Sequence, residues 1–217
     1  MDLGIRKNTM PHHSHADGFA AGLIVLVVAV SLASLMVGWG AGVEWLVRVS
    51  ERRSAMVPGP ALCLALIAGS SLLFDRGPYR AARKVALAGA LVILGFMILA
   101  PHLADGPLDT WLLSGSGTAD GVSRAAMIGL ALAAVAPAVR LGLFPVSGEW
   151  QFHIPLFGLM VAVVISGLVA FDPLTFETLG LFRHLSLIEA VLMSLLFGAQ
   201  VLQHHPDEVA DLPGRSI

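Results

Sequence analysis

Six mostly apolar runs, each close to the roughly 20 residues that cross a hydrocarbon core about 30 Å thick, constrain this chain more than any other feature. They cover residues 19–39, 58–74, 85–100, 121–141, 154–171 and 185–202. Charged residues make up 13% of the chain, against about 25% in an ordinary soluble domain. In lipid every backbone N–H and C=O must be satisfied within its own segment, so runs of this kind form helices. A transmembrane barrel would need alternating polar and apolar positions, and Leu23-Ile24-Val25-Leu26-Val27-Val28 has none. The expected fold is all-α: a polytopic membrane protein with six transmembrane helices arranged as three consecutive hairpins. The fourth run is bracketed by Arg124 and Arg140 and contains Pro137; two terminal arginines can snorkel to the two interfaces.

The domain boundaries follow from these runs. Residues 1–17 read as a polar cytoplasmic tail, 18–202 as the six-helix domain, and 203–217 as a short cytoplasmic tail. The first run reads as a retained helix, since its apolar core is longer than that of a cleaved signal. With both termini inside, the inner side carries Arg6, Lys7, Arg76, Arg80, Arg83, Lys84, Arg140 and Arg215, and the outer side Arg48, Arg52, Arg53, Arg124 and Arg183. Eight against five favours that orientation. The segment 102–120 has three aspartates and no Lys or Arg, as an outer loop should. No loop or tail is long enough for a soluble catalytic domain. A near balance of 13 basic and 15 acidic residues gives no nucleic-acid surface. The lone Cys63 excludes an internal disulfide and a cysteine-based zinc site.

A faint internal repeat supports the hairpins. Each even-numbered run follows a polar or proline-bearing turn: Ala55-Met56-Val57-Pro58-Gly59-Pro60-Ala61-Leu62, Gly121-Val122-Ser123-Arg124-Ala125-Ala126-Met127, and Leu185-Ser186-Leu187-Ile188-Glu189-Ala190-Val191. With Gly38-Trp39 late in the first run, Met56-Val57-Pro58-Gly59-Pro60-Ala61-Leu62 and Ile188-Glu189-Ala190-Val191, the chain resembles the six-helix membrane sensor region found at the N-terminus of some bacterial histidine kinases and diguanylate cyclases. The resemblance covers roughly residues 20–202. It implies a sensor-like module in the membrane. The chain departs from the pattern in two ways: the Asn-Thr pair is replaced by Gly59-Pro60 and by Ala125-Ala126, and Glu189 stands where histidine is frequent. No output domain is expected after the last run, so a signal would pass to a separate partner.

Few side chains could carry chemistry. Glu189 lies about one turn inside the sixth run, where an ionisable group is costly and counts as a functional candidate. Arg183 and His184 precede it and could pair with it. Two readings stand side by side: a proton- or ligand-responsive site near the outer face, or a carboxylate at the interface that ties the helix end. A b-type haem would need two facing imidazoles, and His102 with His184 is the pair available on one side; no haem is expected. His12, His13 and His15, like His204 and His205, lie in polar tails without fixed geometry, so no metal is expected. Trp39, Trp45, Trp111 and Trp150 fall near run ends, as interfacial tryptophans do, and residues 43–53 read as a short interfacial helix. Gly129 and Ala133 in the fourth run, and Gly158, Ala162 and Ser166 in the fifth, form small-residue faces suited to close packing, within the bundle or against a partner helix. No phosphate loop, dinucleotide fingerprint or nucleophile elbow is present. The expected function is therefore a non-enzymatic membrane module, a stand-alone sensor or an accessory subunit, acting through a membrane partner or self-association. A small transporter or channel using Glu189, and a haem-bearing electron-transfer subunit, are the alternatives.

Overall fold

The computed structural model describes residues 14–50, 53–72, 79–99, 121–143, 150–172 and 178–203. These residues are all-helical, with six α-helices: α1 (Ser14–Ala33), α2 (Pro58–Leu72), α3 (Arg80–Leu99), α4 (Arg124–Arg140), α5 (Trp150–Phe171) and α6 (Leu187–Leu202). A π-helical turn, Ser34–Trp39, continues α1. Local chemistry sets the starts of the even helices. Proline at the first position of α2 has no N–H to leave unsatisfied. Ser123 caps α4 by accepting from the Ala125 N–H at 3.2 Å, and Ser186 caps α6 by accepting from the Ile188 N–H at 3.2 Å.

The helices form two layers. α2, α4 and α6 touch one another at the centre; α1 packs between α2 and α6, α3 between α2 and α4, and α5 between α4 and α6. Hydrogen bonds join the inner helices at both ends. The Ala125 N–H and the Ser123 hydroxyl both donate to the Leu181 carbonyl, just ahead of α6, at 3.0 and 3.2 Å. At the opposite end Gln203, after α6, donates to the Ser71 carbonyl of α2 at 3.4 Å and accepts from Arg140 of α4. The three inner helices therefore run parallel, each returning against an outer helix.

The layers differ in composition for the reason their positions dictate. Inner helices are enclosed on most sides, and α4 buries Ala126, Ala133, Ala134, Ala136 and Ala138. The outer helices keep large apolar side chains on the surface: Phe19, Leu32 and Met36 from the first, Val85 and Val92 from the third, Phe157, Val164 and Phe171 from the fifth. Exposed apolar side chains of this kind are compatible with contact with lipid.

The expectation of six membrane-spanning helices is met in part. Three segments are long and apolar enough to cross a membrane: Ala16–Trp39, Arg80–Leu99 and Trp150–Phe171, all in the outer layer. The inner helices α2, α4 and α6 have 15, 17 and 16 residues. At 1.5 Å per residue these rise only about 22–26 Å. Serine caps start α4 and α6, and a proline starts α2. α3 also starts five residues before the expected boundary, since Arg83 turns inward and its Nε donates to the Ser70 carbonyl at the end of α2, at 2.9 Å. The interfacial helix expected over 43–53 is reduced to one 3-10 turn, Glu44–Leu46, among its described residues. Val47 is buried instead, against Gly38, where any Cβ would collide with it.

Candidate functional site

The three short motifs behind the sensor resemblance come together in space, at the N-terminal end of the inner helices. Trp39 closes the π-turn, and its indole Nε1 donates to the Met56 carbonyl at 2.8 Å. The Met56 N–H donates to the Val47 carbonyl at 2.8 Å, which pins the extended lead into α2 beneath the 3-10 turn. Ala55, Met56 and Val57 are fully buried there. Non-helical backbone at such depth is tolerated where protein surrounds it and satisfies its polar groups.

Glu189 sits against this lead. It is 1% exposed, enclosed by protein rather than open to the surface. One carboxyl oxygen, Oε2, accepts from the Ser186 N–H at 3.4 Å, while Ser186 caps the helix in return. This is a reciprocal capping box. The backbone amide of Val57 acts on the same carboxyl. Glu189 thus caps the start of α6 and lies near the Val57 amide ahead of α2. Its second oxygen, Oε1, has no hydrogen-bond partner among the described residues. Arg183 and Glu189 are not brought together: Arg183 is exposed. His184 takes a left-handed conformation, φ 69°, with its ring over Gly121. His102, and the tail histidines His12, His13, His15, His204 and His205, lie outside the described residues. Among the described residues no group of three or more His, Cys, Asp or Glu side chains is placed to hold a metal.

A second polar cluster closes the other end, with a geometry that no sequence pattern announces. Pro137 has no N–H, so the carbonyl four residues earlier, that of Ala133, loses its helical partner. Gln200 of α6 supplies the missing donor: its Nε2 lies 2.8 Å from the Ala133 oxygen. Arg140 donates to the Gln200 carbonyl at 3.2 Å and to the side-chain oxygen of Gln203. Polar side chains here satisfy carbonyls that helix ends and a proline leave open.

The small-residue faces are used inside the bundle. Ala133 and Ala162 are buried. Ser166 of α5 lies 3.2 Å, hydroxyl to hydroxyl, from Ser194 of α6. A Cβ on Gly158 would overlap the Phe197 ring, and one on Gly129 would come within 2.5 Å of the Met193 sulfur. Gly158→Ala should cost about 1–2 kcal/mol, because an aromatic ring must shift in a packed layer. Gly129→Ala should cost less than about 1 kcal/mol, because a flexible thioether can move aside. Thermal unfolding of the two variants in detergent checks that order.

No family model matches the chain, and no curated protein and no solved structure matches it.

Proposed function

We propose that the chain is a non-enzymatic, six-pass membrane module that acts through a membrane partner, as a stand-alone sensor-like protein or an accessory subunit. The observation that carries this reading is how the buried polar groups are used. Glu189, Gln200, Gln203, Arg83 and Arg140 each engage backbone groups at helix ends or beside a proline. They stabilise a scaffold and leave its apolar exterior as the working surface. In this reading the inner helices cross the membrane within a sheath formed by α1, α3 and α5. Their shortness is tolerated because protein, not lipid, surrounds their ends. The lysine and arginine distribution supports both termini on the cytoplasmic side, and the resemblance to bacterial sensor regions supports a bacterial inner membrane. The meeting of Trp39, Met56 and Glu189 supports the sensor-like reading, because the motifs of the resemblance form one junction between α1, α2 and α6.

Gentle extraction of a tagged chain from its native membrane, with quantitative mass spectrometry, tests the reading. A stoichiometric membrane partner or a defined self-assembly is expected. Recovery as a lone monomer would contradict action through a partner.

One observation favours a second reading, a small transporter: the buried Oε1 of Glu189 has an open acceptor position. Glu189→Gln would then abolish flux in proteoliposomes, and unchanged flux would remove Glu189 from any transport step. The haem-bearing reading predicts a Soret band in the purified protein; the present account predicts a colourless one.

A further inference from the structure

We infer that the space between α4, α5 and α6 holds an acyl chain of an anionic phospholipid whose phosphate rests on Arg124 and Arg183. This rests on the membrane placement proposed above and not on any partner.

A cavity of about 140 Å³ lies among the three helices, walled by Ile128, Gly129, Val161, Ala162, Met193 and Phe197. It exists because α4 and α5 present small residues where they face α6. Apolar cavities near 150 Å³ stay dry and accept a ligand of about benzene size, so this one suits the last few carbons of a hydrocarbon chain. It reaches the outer surface of the bundle, since Ile128 is 53% and Val161 40% exposed. In a membrane that surface faces lipid chains.

The position of the charges selects the kind of lipid. Leu181 and Phe182 close one end of the cavity, and Ala125 lines it beside them. The Ala125 N–H and the Ser123 hydroxyl are both bonded to the Leu181 carbonyl, so the two segments are locked together. Arg124 follows Ser123, Arg183 follows Phe182, and both are exposed. Neither arginine side chain has a partner among the described residues. Two arginines, each next in sequence to a residue lining one end of an apolar cavity and near helix ends, and so near headgroup level in a membrane, complement a phosphate. A neutral apolar ligand would have no use for them, and a free phosphate no use for the cavity.

The test starts with a carbonate wash of native membranes. Release of the wild-type chain would overturn the membrane placement and this inference with it. For a retained chain, delipidated protein is titrated with palmitoyl-oleoyl phosphatidylglycerol or the matching phosphatidylcholine and read by native mass spectrometry. One phosphatidylglycerol per chain is expected, at least tenfold tighter than phosphatidylcholine. Arg124→Gln with Arg183→Gln, both at exposed positions, should erase that preference. Ala162→Leu, which fills the cavity, should weaken both lipids at least tenfold; the arginine pair carries the test if this variant does not fold. Inorganic phosphate should not compete at millimolar concentration. Equal binding of the two lipids, a preference that survives loss of both arginines, or displacement by inorganic phosphate would overturn the inference while leaving the membrane placement standing.

Discussion

Glu189→Leu should lower the stability of the folded chain by about 3 kcal/mol, the cost of leaving buried donors unsatisfied. The leucine is close in volume, so packing changes little. What is lost is the acceptor for the Ser186 N–H and the group that meets the Val57 amide. Both sites are buried, and water cannot readily replace the carboxyl. In a chain of this size the loss corresponds to roughly a 6–12 °C fall in the unfolding midpoint. Glu189→Gln keeps an acceptor oxygen and should lose less than half as much. Thermal unfolding of the two variants in one detergent measures the difference. Equal losses would mean that the capping geometry is not what Glu189 contributes.

The second large effect is conditional. Gln200→Leu should cost about 2 kcal/mol, because the Ala133 carbonyl is left without a donor in a buried site. Pro137 is the reason that carbonyl is open. Pro137→Ala restores an N–H at the right place in the helix. In that background Gln200→Leu should cost less than about 0.5 kcal/mol, so a double-mutant cycle should return a coupling above about 1 kcal/mol. A glutamine that merely fills space would cost the same in both backgrounds.

The sequence carried the outline of the fold well. Long apolar runs located all six helices, and two of the lead-ins hold the serines, Ser123 and Ser186, that cap α4 and α6. Helix lengths were less legible. Hydropathy does not register where a cap such as Ser186, or an inward arginine such as Arg83, sets the boundary. Glu189 stood out because a carboxylate in an apolar run is costly. The pattern Ser186-Leu187-Ile188-Glu189 already spells a capping box, and that signal could have revealed its local role. Its contact with the Val57 amide could not be read, since it joins segments more than a hundred residues apart. The same holds for Gln200 and Pro137: each is visible alone, and only tertiary structure shows that one repairs what the other breaks. The small-residue faces were legible as packing surfaces, but their partner, Met193 and Phe197 on α6, was not.

The most direct test of the central claim, three parallel inner helices crossing the membrane within a sheath of three outer ones, is cysteine accessibility from each side. In a background with Cys63→Ala, single cysteines replace Ser50 and Gly180, which precede inner helices, and Tyr79 and Leu143, which lie at the opposite end; all four positions are exposed. A membrane-impermeant thiol reagent applied to intact spheroplasts should label the first pair and spare the second, with the pattern reversed in inverted vesicles. Labelling of both pairs from the same side would contradict the account.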